Sequence, residues 1–173
     1  MRRSATAALL HLVAALGAAA ALPAQQKPVV ASDSIIRRDD RVLYHQHAPS
    51  EQEWGYAQAI VVGNTIYVSG TVSGGNTLAE EVTNIYRRIE RTLKVNGFAM
   101  RDVVKETVYA KDIEAFAAAN PARLRAYAGH TPAATWVQIS RLLAGPANAE
   151  IEVMAVRTSA PETSSLAKPG GGR

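Results

Sequence analysis

The sequence contains no cysteine among its 173 residues. This absence excludes a disulfide framework, a zinc site with thiolate ligands and a cysteine nucleophile. The chain also has little net charge, since 19 basic and 15 acidic side chains leave +4, and no internal repeat is visible. The hydrophobic fraction is 47%, which is enough for the core of one domain with tails.

A long apolar run occurs only near the N-terminus. Arg2 and Arg3 precede the apolar run Ala7–Ala21, and small residues lead to a cleavage site after Ala24. A charged start, a short apolar segment and a small-residue site are typical of a secretory signal peptide, and we predict one over residues 1–24. The segment is too short and alanine-rich to favour a membrane span, although an uncleaved anchor stays open as the alternative.

Export would change the apparent charge of the protein. Cleavage would leave 17 of the 19 basic side chains against 15 acidic ones, so the mature chain would be nearly neutral. The sequence therefore predicts a periplasmic or secreted protein that binds neither nucleic acid nor membrane in its mature form. We predict a linker over residues 25–40, one domain over 41–158 and a disordered, Pro- and Gly-rich tail over 159–173.

The first half of the domain has the pattern of a β-hairpin. Two β-rich runs, Tyr56–Val62 and Thr65–Gly70, flank the turn residues Gly63 and Asn64. A weaker strand candidate, Arg41–Ala48, comes before them.

Two helices and three further strands follow. A capping box at Thr77 opens the first helix, apolar residues recur at three- and four-residue steps, and Gly97 closes it. A second helix begins after Asp112, and Pro121 should kink or split it. The strands are predicted over Asp102–Ala110, Ala134–Leu142 and Glu150–Val156. This order favours an α+β layer with helices on one face of the sheet.

Four segments in this order resemble the RidA/YjgF family of small α+β proteins. They read "YAQAIVVGNTIYVSG", "GFAMRDVVKETVYAKDIEAFAAAN", "TPAATWVQISRL" and "AEIEVMAV", and the resemblance runs from Tyr44 to Arg157. It implies a chorismate-mutase-like fold, with a mixed β-sheet and two helices on one face, assembled as a homotrimer with ligand clefts between subunits. It also implies hydrolysis of enamines and imines such as 2-aminoacrylate to 2-keto acids and ammonia, without a cofactor or metal.

The resemblance also assigns site residues. The acid that positions the hydrolytic water matches Glu150. The residues matching the family's ligand-binding cleft, including the two that depart from its pattern, are Tyr56, Ser69, Gly70, Asn120, Ala134 and Trp136.

The departure at Ala134 is the most informative feature of the sequence. The family's substrate-binding arginine stands in a Pro-Ala-Arg motif, which here reads Pro132-Ala133-Ala134. An arginine pairs a carboxylate through two charge-assisted hydrogen bonds, and alanine offers neither donor nor charge. We therefore expect 2-imino acids to bind poorly. Trp136, where the family has a small residue, either stacks on a ligand or packs internally, and packing is favoured.

Several residues have competing interpretations. Glu150 and Glu152 share a strand face, so the pKa of Glu150 could be raised by its neighbour, or both could pair with Lys105 or Arg141. Glu152 is interpreted as structural, and so is Arg141, the one nearby candidate to replace the lost guanidinium.

The histidines are candidates of a weaker kind. His45 and His47, with Glu51, are a weak metal candidate. His130 either reaches the cleft or is solvated.

Three functions stay open at this point. The preferred one is an exported homotrimer that binds a small metabolite, with weak, absent or retargeted imine deaminase activity. The second is an active imine hydrolase that uses Glu150 on a substrate lacking a carboxylate or held by another residue. The third is a non-catalytic interaction scaffold.

Overall fold

The computed structural model describes residues 33–157, and the predicted signal peptide, most of the predicted linker and the predicted tail lie outside them. Seven strands and four α-helices follow one another in this range. They are β1 (Ser34–Arg37), β2 (Val42–His45), α1 (Ala48–Glu53), β3 (Ala59–Val62), β4 (Thr65–Thr71), α2 (Leu78–Val95), β5 (Val103–Ala110), α3 (Ile113–Ala118), α4 (Asn120–Tyr127), β6 (Ala133–Gln138) and β7 (Ala149–Val156).

The strands form one mixed sheet in the order β1-β2-β3-β4-β7-β5-β6. The pair β5 and β6 is parallel, and the other neighbours are antiparallel. Helices α2, α3 and α4 cover one face, while the opposite face of the central strands carries polar and half-buried side chains. The predicted α+β class with a mixed sheet is therefore confirmed.

Local signals placed helices α2, α3 and α4 correctly. The Thr77 hydroxyl accepts a hydrogen bond from the Glu80 backbone N–H at 3.2 Å, and Gly97 has φ +77° beyond the end of α2. Asp112 caps α3 by accepting from the Ala115 N–H at 2.8 Å. Pro121 lies in the first turn of α4, so the second predicted helix is split in two.

Three local predictions need correction. The segment Ser34–Arg37, inside the predicted linker, is strand β1 and pairs with β2. Four residues are too few to show a period, so only the pairing partner reveals it. Helix α1 was missed because its six residues are also too few to show a helical period. Strand β6 ends at Gln138 rather than Leu142. In β5, a register shift leaves Val104 exposed while Glu106 is buried.

The core lies between the sheet and the helices. The apolar stripe of α2 is fully buried against inward-facing residues of the central strands. No helix in the described range 33–157 has the length and apolarity to span a membrane. The main buried contributors are Ile66, Val82, Ile85, Ile89, Leu93, Val108, Phe116, Ile151 and Val153.

Candidate functional site

Four predicted cleft residues gather beside strand β4. Tyr56 and Ser69 line a cavity of about 500 Å³, and the Ser69 hydroxyl donates to the Ala57 carbonyl at 2.7 Å. The carboxylate of Glu150 lies directly over Gly70, because a Cβ added at Gly70 would stand 1.9 Å from Glu150 Oε1. A glycine at this position is therefore what lets the acid approach the strand so closely.

The irregular pairing of β4 with β7 produces this approach. Their register shifts between Val68 and Thr71, so Ser69 and Gly70 form a bulge. A bulge bends a strand and redirects its side chains. Here it places the backbone of Gly70 beneath Glu150.

The electrostatics of Glu150 favour proton transfer. Burial first, and then the charge of Glu152, raise the pKa of Glu150 above its ordinary value. Glu152 accepts a hydrogen bond from the Tyr109 hydroxyl at 3.3 Å. A half-buried carboxylate with a raised pKa suits the activation of a water molecule.

The alternative in which these acids pair with Lys105 or Arg141 is not observed. Within residues 33–157 neither Glu150 nor Glu152 forms a salt bridge. Lys105 instead donates to the Thr135 hydroxyl at 2.5 Å.

A buried carboxylate holds the start of β7 in place and therefore helps to position Glu150. Glu81 of α2 is 3% exposed. Its Oε1 accepts from the backbone N–H groups of Asn148 and Ala149 at 2.7 and 3.0 Å, and its Oε2 accepts from the Asn148 side chain at 2.9 Å. No local pattern separates Glu81 from the other charged residues of this helix, so its role was missed.

The other predicted cleft residues lie on the helix-covered face. The parallel register places Ala134 beside Glu106 and Trp136 beside Val108. Trp136 packs edge-on against Phe116, with ring centroids 5.0 Å apart, as the packing interpretation requires.

Asn120 begins helix α4 on the same side of the sheet. Its Oδ1 is buried and has no hydrogen-bond partner in the described part of the chain.

A fully buried carboxylate, Glu106, organises this second group. Its Oε2 accepts from the hydroxyls of Tyr86 and Tyr127, both at 2.7 Å. Its Oε1 accepts from Arg123 Nε at 2.8 Å and from Trp136 Nε1 at 3.4 Å. Four donors therefore hold one carboxylate in a single orientation.

The cluster keeps Arg123 charged and both tyrosines neutral. Burial lowers the pKa of Arg123, but the hydrogen bond and charge of Glu106 outweigh that effect and raise it. Burial first, and then the charge of Glu106, raise the pKa of Tyr86 and of Tyr127 well above the ordinary tyrosine range. The guanidinium carbon of Arg123 lies 5.0 Å from the Tyr127 ring centroid and 5.5 Å from that of Trp136.

Sequence reasoning missed Glu106 and Arg123. The available signal was a glutamate on the apolar side of a strand, because an acid at such a position needs buried partners. Which arginine or tyrosine supplied them depended on how the split helix packs.

The two groups of predicted site residues lie on opposite faces of one sheet. Tyr56, Ser69, Gly70 and Glu150 are on one side, and Asn120, Ala134 and Trp136 are on the other. A single protomer does not bring the groups together, so a cleft that used both would have to form between chains.

The histidines have structural partners. His45 Nδ1 lies 3.1 Å from Glu51 Oε2 and both side chains are buried. Glu51 also accepts from the backbone N–H groups of Gln46, His47 and Gln58 at 2.8–3.2 Å, which folds the loop before Tyr56.

His45 and His47 do not form the metal pair considered from the sequence. His47 is the N-cap residue of α1 instead. No group of three potential ligands for a metal occurs in residues 33–157.

His130 is bound to the backbone instead of being free in solvent. Its Nε2 lies 2.6 Å from the Val103 carbonyl, and its ring centroid is 6.1 Å from that of Tyr127. His130 thus ties the loop after α4 to the start of β5.

Comparison with known proteins places this geometry in a family. A family model described as Endoribonuclease L-PSP matches residues 45–157. The 2-iminobutanoate/2-iminopropanoate deaminase of Rattus norvegicus is 33% identical over 138 residues, covering 75% of this chain and 96% of that protein. A RutC family protein of Pyrococcus abyssi is 34% identical over 123 residues, covering 66% and 94%.

Solved structures with a similar fold belong to the same group of proteins as the relatives found by sequence. Rv2704 from Mycobacterium tuberculosis, a member of the YjgF/YER057c/UK114 family, has a TM-score of 0.64 at 27% identity, covering 68% of this chain and 99% of that one. A putative endoribonuclease from Thermotoga maritima has a TM-score of 0.56 at 31% identity, covering 59% and 86%. The fold and the family model lead to one conclusion: the chain belongs to the RidA/YjgF family.

Proposed function

We propose that this protein binds a small metabolite in clefts between the subunits of a homotrimer, and that its deamination of 2-imino acids is weak or absent. The observation that carries the proposal is the presence of alanine at position 134. Ala134 stands where the resemblance expects an arginine, and its neighbour across the strand pair is the acid Glu106. The nearby guanidinium, that of Arg123, is already bonded to Glu106.

The distribution of site residues supports an assembly. One group lies on the open face with Glu150, and the other lies on the helix-covered face with Trp136. Contact between one face of a subunit and the other face of its neighbour would complete a cleft. The naming of several relatives as 2-iminobutanoate/2-iminopropanoate deaminases supports imines as the class of compound to test first.

The test is ammonia release from freshly generated 2-aminoacrylate and 2-iminobutanoate. A charge-assisted hydrogen bond contributes about 1.5–3 kcal/mol, so we expect kcat/KM about 10- to 150-fold below that of an arginine-bearing relative. Ala134→Arg should recover part of that deficit. A wild-type rate equal to that of such a relative would contradict the proposal.

A second candidate, hydrolysis of an imine that lacks a carboxylate, is favoured by Glu150. Its carboxylate lies over the Gly70 backbone and has a raised pKa. A screen of neutral imines should then find turnover that Glu150→Gln abolishes and the matched Glu152→Gln retains. Turnover that survives Glu150→Gln would exclude this role.

We also propose export to the periplasm or the exterior, supported by the pattern of residues 1–24. Cell fractionation with mass spectrometry of the N-terminus should find a chain beginning at Gln25. A chain that retains Arg2 and remains in the cytoplasm would contradict export.

A further inference from the structure

We propose that the surface formed by Ala134, Trp136 and Arg123 binds an uncharged carbonyl group, with a primary carboxamide as the ligand class, in preference to a carboxylate. The inference rests on the proposed function, because it names the chemistry that the same cleft would recognise. It is carried by the bonded pair of Glu106 and Arg123.

Glu106 compensates the charge of Arg123. Arg123 Nε and Glu106 Oε1 are 2.8 Å apart, and the two side chains are 11% and 0% exposed. Their opposite charges nearly cancel for a ligand that approaches from outside. A carboxylate at the guanidinium would also be repelled by Glu106, and this repulsion is poorly screened because the pair is buried. A carbonyl oxygen carries only a partial charge, so it avoids most of that repulsion.

Arg123 keeps hydrogen-bond donors that Glu106 does not use. Arg123 uses Nε for Glu106, and its Nη1 and Nη2 atoms donate no hydrogen bond to any residue between 33 and 157. A guanidinium has five N–H donors in a fixed plane. The remaining donors can therefore bind an acceptor from a ligand while Glu106 holds the group in place.

Ala134 leaves space that a longer side chain would fill. Ala134 is exposed and its side chain ends at Cβ, so the position where the resemblance expects an arginine is open. Trp136 is half-buried and stands beside the Arg123 guanidinium. A flat amide group can occupy this opening against the indole, since planar groups pack well on aromatic rings.

The side-chain oxygen of Asn120 lacks a hydrogen-bond donor within residues 33–157. Asn120 lies three residues before Arg123 on α4, so the two side chains share one side of the helix. The buried Asn120 Oδ1 has no partner within the described chain, and leaving such an acceptor unpaired is unfavourable. A primary carboxamide offers a carbonyl acceptor for Arg123 and an N–H donor for Asn120. A carboxylate offers only acceptors.

The experiment compares two probes with one carbon skeleton, 2-oxopropanamide and 2-oxopropanoate. Their binding to the full oligomeric protein is measured by calorimetry or ligand-observed NMR. We expect the wild type to bind the amide about tenfold more tightly, the ratio that ~1.4 kcal/mol produces. Arg123→Met should lose amide binding, whereas Arg125→Met, an exposed arginine of the same helix, should not.

Variants that change the charge of the site should alter the preference between the amide and the carboxylate. Glu106→Gln keeps the shape of the side chain but leaves Arg123 uncompensated, so carboxylate affinity should rise about tenfold. Ala134→Arg adds a positive charge without altering the Glu106 cluster, and it should shift the preference in the same direction if Glu106→Gln fails to fold. Thermal unfolding and oligomeric state identify any variant that has lost its structure.

Three results would overturn the inference: a wild type that prefers the carboxylate, one that binds neither probe, or a ratio unchanged in both charge variants. The proposed function has its own readout, which is ammonia release from 2-imino acids. If the ratio fails while that rate stays low and Ala134→Arg raises it, only the carboxamide inference is lost.

Discussion

Replacing Glu106 with alanine should destabilise the protein more than any ordinary surface substitution. The change leaves Arg123 with a largely buried charge and removes the acceptor of both the Tyr86 and Tyr127 hydroxyls. Removing one partner of a buried ion pair lowers the free energy of unfolding by about 3–5 kcal/mol. The two hydroxyls share their acceptor with Arg123, so their losses are coupled to that of the ion pair and do not add in full.

The assay is equilibrium unfolding of the full chain in urea at several fixed protein concentrations, which separates folding from assembly. Glu90→Ala, an exposed acid on α2, is the control and should stay within about 0.5 kcal/mol of wild type. The double variant Glu106→Leu with Arg123→Met should lose less than Glu106→Ala, since it leaves no charge unpaired. A loss below about 1 kcal/mol for Glu106→Ala would show that the cluster is not the buried, coupled unit described above.

Three further predictions concern titration and close approach. Folding raises the pKa of Tyr86 and Tyr127, so their contribution to stability is intact below the unfolded tyrosine pKa of about 10 and declines above it, by up to about 1.4 kcal/mol per pH unit for each. Urea unfolding between pH 9 and 11 measures this slope. A slope that is unchanged in the double phenylalanine variant would contradict the prediction. Glu152→Gln removes a charge that raises the pKa of Glu150, so the acidic limb of any Glu150-dependent pH–rate profile should move to lower pH; a limb that does not move would show that another group titrates there. Gly70→Ala should displace Glu150 and lower turnover about 100-fold with little change in melting temperature, whereas normal turnover would show that the acid is not held over Gly70.

The strongly periodic parts of the fold could be predicted from sequence. The apolar stripe, the Thr77 cap and Gly97 specify α2, and the two-residue turn after Val62 specifies the hairpin of β3 and β4. Each of these signals is local, so a single sequence displays it in full. The same holds for Pro121, whose missing N–H ends one helix and begins the next.

The buried acids could not be predicted, because their roles depend on distant partners. Glu81 meets Asn148 across 67 residues of chain, and Glu106 meets Tyr127 across 21. The apolar face of β5 marks Glu106 as a glutamate that needs buried partners, but no local pattern identifies those partners or distinguishes Glu81 from a glutamate in solvent. Strand β1 has the same difficulty, since four residues become a strand only through their pairing with β2.

The candidate site was identified residue by residue from resemblance, but its division was not foreseen. Alternation placed Glu150 with Glu152, and the structure agrees. The parallel register of β5 with β6 then puts Ala134 on the reverse side of the sheet from them. Only the pairing order and register of these strands reveal that the two groups lie on opposite faces.

Placing Glu150 and Trp136 on opposite sides of one sheet has a consequence for genetics as well as for chemistry. Two copies, one defective at the acid and the other defective at the tryptophan, would each lack a working cleft when pure. Mixed in the proposed homotrimer, they would regenerate some clefts in which both contributing surfaces are wild type. Defects of this kind would therefore complement each other, and dilution below the assembly threshold would mimic mutation.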